Sequence, residues 1–67
     1  MQIQFVDYHH PRDGVIRYAK TDILPPIESI IEIDEYQNCL VKKIRFFIEY
    51  SELQAVIHVW TNYVVGV

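Results

Sequence analysis

Apolar and polar residues alternate along much of this chain, a pattern typical of half-buried β-strands. Gln2–Tyr8 and Val15–Lys20 are two such segments, and the proline and the Asp-Gly pair within Pro11–Gly14 mark a turn between them. We therefore predict an N-terminal hairpin, in a register that the pattern leaves open. Leu24–Pro26 follows as an extended connector, because its two prolines cannot pair inside a central strand.

Residues 27–61 predict a three-stranded antiparallel meander. The three strands and the two tight turns that join them are, in chain order, Ile27–Tyr36, Gln37-Asn38, Leu40–Tyr50, Ser51-Glu52 and Leu53–Thr61. One register sorts their side chains onto two faces. It places Ile44 beside Val59 on an apolar inner face, and Glu32 beside Lys43 beside Trp60 on a polar outer face.

A helical interpretation competes with the first and the last strand of this assignment. Ser51–Gln54 resembles a helix capping box, and Pro26 could begin a helix that contains Ile27, Ile30 and Ile31. Against it, β-branched residues are frequent between positions 56 and 65, and such residues favour pleated strands. We predict an all-β fold, a small antiparallel sheet or barrel of about five strands. An α+β fold with a helix in 27–36 or 52–65 is the alternative.

The composition predicts one small domain, residues 1–67, that associates with another chain. Apolar residues make up 51% of the chain and aromatic residues 13%, which is more than so short a chain can bury. Cys39 is the only cysteine, so no disulfide can form within the chain. Met1–Asp7 does not have the pattern of a secretory signal and no apolar run approaches the roughly 20 residues of a membrane span, so we expect a cytoplasmic protein that does not bind membranes.

No catalytic, cofactor or metal motif stands out, and we expect a protein that is not an enzyme. His9-His10 is the only cluster of possible metal ligands, but adjacent histidines on a strand point to opposite faces, so a solvated turn is expected. Cys39 falls at a predicted turn without an activating neighbour, where an ordinary thiol is expected. With two glycines in the whole chain, no phosphate-binding loop is present.

The candidate binding residues form three groups. The first is a basic and aromatic set on the predicted outer face: Lys43, Arg45, Phe47, His58 and Trp60. The second is an acidic set: Glu28, Glu32 and Asp34. The third is an apolar set near the C-terminus, a candidate for self-association: Tyr63, Val64 and Val65.

Two functions are consistent with these groups. The first is a small module that binds another protein, as an inhibitor or accessory factor, or that pairs with a second copy of itself. The second is a single-stranded nucleic-acid binder, in which bases stack on the rings of the basic and aromatic set while its cations contact phosphates. The net charge of −3 and the acidic residues next to this set favour the first.

Overall fold

The computed structural model describes residues 1–64, which fold into a single five-stranded mixed sheet. The elements, in chain order, are β1 (Gln2–Asp7), a 3-10 turn (Pro11–Asp13), β2 (Val15–Lys20), β3 (Ile30–Ile33), β4 (Tyr36–Glu49) and β5 (Glu52–Trp60). The strand order across the sheet is β2-β1-β5-β4-β3. The predicted all-β class is confirmed, and none of the described residues forms an α-helix, so the α+β alternative is wrong for the segments 27–36 and 52–64.

The sheet is almost closed into a barrel, with its two edge strands brought towards each other. Arg17 on β2 lies 3.5 Å from Asp34, which directly follows β3. The parallel pairing of β1 with β5 makes this possible, since it joins the N-terminal hairpin to the meander through the centre of the sheet. Ile3 is aligned with Ala55 in that pairing, and both side chains are fully buried.

The hydrophobic core lies on the inner face of this curved sheet. Its buried members come from four strands: Ile3, Ile33, Cys39, Val41, Ala55, Ile57 and Val59. On the outer face, four residues of the central strands are buried as well: Val6, Leu40, Val56 and His58. Residues 55–59 of β5 are thus all buried, whichever face they lie on. A strand that is buried on both faces has a continuous run of apolar residues rather than an alternating pattern.

The N-terminal hairpin pairs β1 with β2 in a register that the sequence left open. Gln2 lies opposite Lys20 and Phe5 opposite Arg17, and a bulge between Phe5 and Val6 adjusts the pairing near the turn. Gly14 has φ = 109°, a backbone conformation that residues with a side chain rarely adopt. This explains why the Asp-Gly pair of the sequence stands where β2 begins.

The predicted register of the meander is wrong in two places. The β4–β5 turn is Tyr50-Ser51 rather than Ser51-Glu52, which moves Ile44 from Val59 to Ile57 but leaves residues 43–49 on their predicted faces. A bulge at Lys42 reverses the faces before that point, so Val41 rather than Leu40 lies in the core. Both turn residues have positive φ, at 53° and 60°, as in the type I′ turn that suits tight hairpins.

The error between β3 and β4 is larger. The turn is Asp34-Glu35 rather than Gln37-Asn38, so β4 begins at Tyr36 and Ile31 lies opposite Cys39 instead of Ile44. This shift is by an odd number of residues, but the bulge at Lys42 compensates for it, so Ile31 packs against the core as predicted. The predicted contact of Glu32 with Lys43 is absent, because β3 pairs only with residues 36–40 of β4. Asn38, with φ = 52°, is an irregularity inside β4 and not a turn between strands.

Candidate functional site

The β4–β5 hairpin extends beyond the rest of the sheet, and we call its outer part, residues 43–53, the hairpin tip. On one side, β3 pairs with β4 only as far as Leu40, and backbone hydrogen bonds from Glu28 and Ser29 reach only to Val41. On the other side, β1 pairs with β5 only from Gln54 onwards. The molecule is correspondingly elongated, with principal extents of 43 × 24 × 19 Å.

The inner face of the hairpin tip is apolar and largely uncovered. Phe46 lies opposite Ala55 and Ile48 opposite Leu53 on the face that forms the core further down the same strands. β3 ends before this level, and β1 reaches only as far as Gln54, which lies opposite Phe47. Phe46 therefore remains 50% exposed, Ile48 73% and Leu53 45%. Tyr50, at the turn, is 93% exposed. A continuous apolar surface of this kind on a small protein is typical of an interaction site.

One edge of the hairpin tip has no neighbouring strand. We call the backbone of Lys43–Glu49 on the side away from β5 the free edge. Among the described residues, β3 is the neighbour of β4 on that side, and it pairs only with residues 36–40. A bulge at Lys42 separates this paired part of β4 from the free edge. Unpaired backbone N–H and C=O groups along a strand edge form a template for another strand.

The basic and aromatic set shares one face of the sheet. Lys43 lies opposite His58 and Leu40 opposite Trp60, while Arg45 and Phe47 follow Lys43 at alternate positions of β4. Lys43 and Arg45 are exposed, Phe47 is half-buried, Trp60 is 37% exposed and His58 is buried. Side chains of the described residues make no ion pair with either cation. Both cations are thus accessible at the tip, whereas His58 is closed off.

His58 is held as a neutral imidazole. Burial lowers its pKa below the ordinary value of 6.5, and the positive charges of Arg45 and Lys43 lower it further. Its Nε2 atom is buried and has no hydrogen-bond partner among the described residues. A neutral, enclosed ring cannot contribute charge to a phosphate site, so His58 acts in the packing of the outer face.

The acidic set is dispersed rather than aligned. Glu28 precedes β3, has φ = 72°, and lies 3.8 Å from Lys42. Asp34 occupies the β3–β4 turn and contacts Arg17 across the gap between the two edge strands. Glu32 lies exposed within β3. Two of the three predicted docking acids therefore make ion pairs within the protein itself.

The apolar C-terminal set divides between packing and exposure. The Tyr63 ring lies edge-on to Trp60 at 5.2 Å, and its backbone N–H donates to the Asn38 carbonyl at 3.0 Å. Val64 is 72% exposed. Val65 lies outside the described residues. Tyr63 thus fixes the chain after β5 against the start of β4.

An aromatic row that the sequence analysis missed crosses the end of β5. His9 lies edge-on to Tyr8 at 5.2 Å and to Trp60 at 5.0 Å, and Tyr63 continues the row. Lys42 lies 5.8 Å from the centre of the Tyr8 ring, at the outer limit of a cation–π contact. The parallel β1–β5 pairing brings these residues together. The sequence signal for the row is that both strands end in aromatic residues, Tyr8 after β1 and Trp60 in β5.

Cys39 belongs to the core and not to a turn. Its side chain is fully buried in β4, and its Sγ donates to the Tyr36 carbonyl at 3.6 Å. Burial raises the pKa of this thiol above its ordinary value of 9.0. The expectation of an ordinary turn thiol is wrong, and the group lacks both the exposure and the ionisation that a nucleophile needs.

Two shallow clefts remain, one of about 420 Å³ beside Asn38 and Asn62 and one of about 240 Å³ at the turn end of the N-terminal hairpin. The second is the one with acidic side chains. Asp7 and Asp13 contribute to its wall together with Tyr36 and Thr61. The Asp7 carboxylate accepts the backbone N–H of His9 at 3.1 Å, so it acts as a turn-stabilising group. Within residues 1–64, no three histidine, cysteine or acidic side chains come together as a metal site would require.

Comparisons with protein-family models, with curated proteins and with solved structures found no match to this chain. Across the part of the chain that the structure describes, no helix has the length and apolarity needed to cross a membrane.

Proposed function

We propose that this protein is a small non-enzymatic module that binds another protein chain through its hairpin tip, as an inhibitor or accessory factor. The observation that supports this most directly is the apolar inner face of the tip, where Phe46, Ile48 and Leu53 are each about half exposed or more. A 67-residue chain has little stability to spare, so leaving this much apolar surface in water is costly unless a partner covers it.

The backbone of the tip supports the same proposal. The free edge of β4 offers seven residues for pairing with an extended segment, and such pairing supplies affinity through main-chain hydrogen bonds. Lys43 and Arg45 lie on the outer face beside this edge and would favour an acidic or amphipathic partner segment. The cytoplasm remains the expected compartment.

The experiment is site-specific photo-crosslinking with matched probe positions. Benzoylphenylalanine replaces Ile48 on the tip in one variant and Ile23 in a control variant. Ile23 directly precedes the Leu24–Pro26 connector and is 81% exposed. Both variants are irradiated in extracts of cells that express them. We expect discrete adducts from position 48 and none from position 23. Equal adducts from both positions, or none from position 48, would reject the tip as the binding surface.

Single-stranded nucleic-acid binding is a second candidate. It is favoured by one observation: Lys43 and Arg45 are exposed and unpaired among the described residues, on the same face as Trp60. Titration with mixed-sequence single-stranded DNA and RNA at low salt, followed by Trp60 fluorescence, tests it. Saturable quenching that weakens as salt rises would support it, because binding releases counterions from the neutralised phosphates. A flat titration would remove it.

A further inference from the structure

We infer that the partner of the free edge is a second copy of this chain, bound antiparallel across a two-fold axis at Phe46. This inference rests on the proposed function and names the partner for the same surface. Its basis is the order of charges along the edge, which is basic at Lys43, apolar in the middle and acidic at Glu49. A strand with opposite charges at its two ends is complementary to itself when it is reversed.

The limits of the edge fix the register. The edge cannot begin before Lys43, because the backbone N–H and C=O of Val41 are bonded to Ser29 and Glu28. It cannot continue past Glu49, because Tyr50 and Ser51 have positive φ and turn the chain. The residue midway between Lys43 and Glu49 is Phe46. A two-fold axis there pairs the whole edge of one copy with the whole edge of the other.

This register matches the side chains on both faces. On the outer face, Lys43 lies opposite the partner's Glu49, and Arg45 lies opposite the partner's Phe47. On the inner face, Ile44 lies opposite the partner's Ile48, and Phe46 meets the partner's Phe46. The faces agree because a two-fold axis perpendicular to the sheet keeps inner residues with inner residues. Each cross-strand pair of opposite charges or apolar groups favours association.

The two neighbouring registers that keep the faces are poorer. An axis at Arg45 would place the two arginines opposite each other. It would also place Val41 opposite the partner's Glu49, although the backbone groups of Val41 are already bonded to Ser29 and Glu28. An axis at Phe47 would pair Arg45 with the partner's Glu49 but would place Lys43 opposite the partner's Ser51 in the turn, so only five residues of each strand would pair regularly.

The pairing would also merge the exposed apolar surfaces. The hairpin tips would lie side by side in one four-stranded sheet, so that Ile44, Phe46 and Ile48 of both copies form a single apolar face flanked by Leu53 of each. Tyr50 of each copy would reach the level of the partner's Lys42, next to the segment in which the Glu28 N–H donates to the Val41 carbonyl and Ile27 is 47% exposed. The most exposed aromatic residue of the chain would thereby gain an apolar neighbour.

The first experiment measures mass against concentration by sedimentation velocity for the unchanged chain, two single charge variants, their double variant and a control. We expect a concentration-dependent dimer for the unchanged protein. Lys43→Glu and Glu49→Lys should each weaken it roughly tenfold, because each creates two like-charge pairs across the axis. The double variant should restore association, and an equimolar mixture of the two single variants should form a mixed dimer. Lys20→Glu, on β2, is the control and should leave association unchanged.

The second experiment tests the position of the axis by disulfide formation. In Phe46→Cys the two new thiols lie directly opposite, at a Cα separation of about 4.5–5.5 Å, which a disulfide accommodates. In the control Ile48→Cys, each substituted position lies opposite the partner's Ile44, four residues along the strand from the partner's own position 48. The two new thiols would therefore be about 13 Å apart. Cys39 is buried and does not compete. We expect rapid oxidation to a covalent dimer for Phe46→Cys only.

A protein that stays monomeric at millimolar concentration, with no covalent dimer from Phe46→Cys, would overturn the inference. So would a dimer that is indifferent to the charge variants, or one that is trapped by Phe47→Cys instead. The proposed function is judged separately by the mass of the photo-adducts from position 48. Adducts of twice the chain mass support the second copy, whereas adducts only with other proteins keep the binding surface and reject self-pairing.

Discussion

Lys43 lies opposite His58 across the β4–β5 pair, so a positive charge stands next to a buried neutral imidazole. The pairing makes the protonated form of His58 unfavourable in two ways. Burial removes the ring from water, and Lys43 and Arg45 repel a proton on it. The pKa of His58 in the folded protein is therefore below its unfolded value of about 6.5.

We predict that this protein loses stability on mild acidification. Below about pH 6.5 the unfolded chain binds a proton at position 58 that the folded protein does not, so the free energy of unfolding falls as the pH decreases towards the lowered pKa. Urea unfolding, followed by circular dichroism between pH 8 and pH 5, measures the effect. His58→Phe should flatten this dependence, whereas His10→Gln, in the exposed turn, should keep it. An unchanged slope in His58→Phe would assign the effect to another group.

The thiol of Cys39 should react only when the protein opens. Because the side chain is fully buried and its pKa is raised, an aromatic disulfide reagent at neutral pH should modify it orders of magnitude more slowly than a free thiol. The rate should increase with urea, in parallel with unfolding. Rapid labelling of the native protein would contradict the placement of Cys39 in the core.

The buried thiol of Cys39 should also make the protein less stable in the alkaline range. The free energy of unfolding should fall above about pH 9, since only the unfolded chain ionises its thiol freely there.

The sequence was informative about strands and faces, and much less so about which strands meet. Alternation along the chain placed Ile44, Phe46 and Ile48 on one face and Lys43, Arg45 and Phe47 on the other, as the structure does. Residue type alone indicates a turn at Asn38, but its left-handed backbone lies inside β4. The turn at Asp34-Glu35 has no glycine or asparagine to signal it.

The parallel pairing of β1 with β5 could not be predicted from local pattern, because it joins residues more than 50 positions apart. Without it, neither the burial of His58 nor the aromatic row at Trp60 could be anticipated. The same pairing explains why the hairpin tip protrudes, since β1 stops at the level of Gln54. The candidate outer-face residues share one face as predicted, but Lys43 lies opposite His58 rather than Trp60, and their accessibility depends on a long-range contact.

The β1–β5 pairing should be essential for folding. Ile3 is fully buried against Ala55, and Ile3→Ala should lower the free energy of unfolding by about 2–5 kcal/mol. A domain of this size has roughly 3–10 kcal/mol in total, so the variant should be largely or partly unfolded at 37 °C. Ile23→Ala makes the same chemical change at a site that is 81% exposed and should alter stability by less than about 0.5 kcal/mol. Equal effects of the two substitutions in urea unfolding would contradict the central position of β1.

The turn of the hairpin tip should be improvable by one substitution. Ser51 has φ = 60°, a conformation that glycine adopts without strain and that β-branched residues avoid. Ser51→Gly should therefore raise the free energy of unfolding by several tenths of a kcal/mol to about 1 kcal/mol, and Ser51→Val should lower it by at least as much. Thermal unfolding of both variants, at one protein concentration so that association contributes equally, measures the difference. If glycine and valine shifted the midpoint in the same direction, the turn would lie elsewhere, and with it the register that places Phe46 at the centre of the free edge.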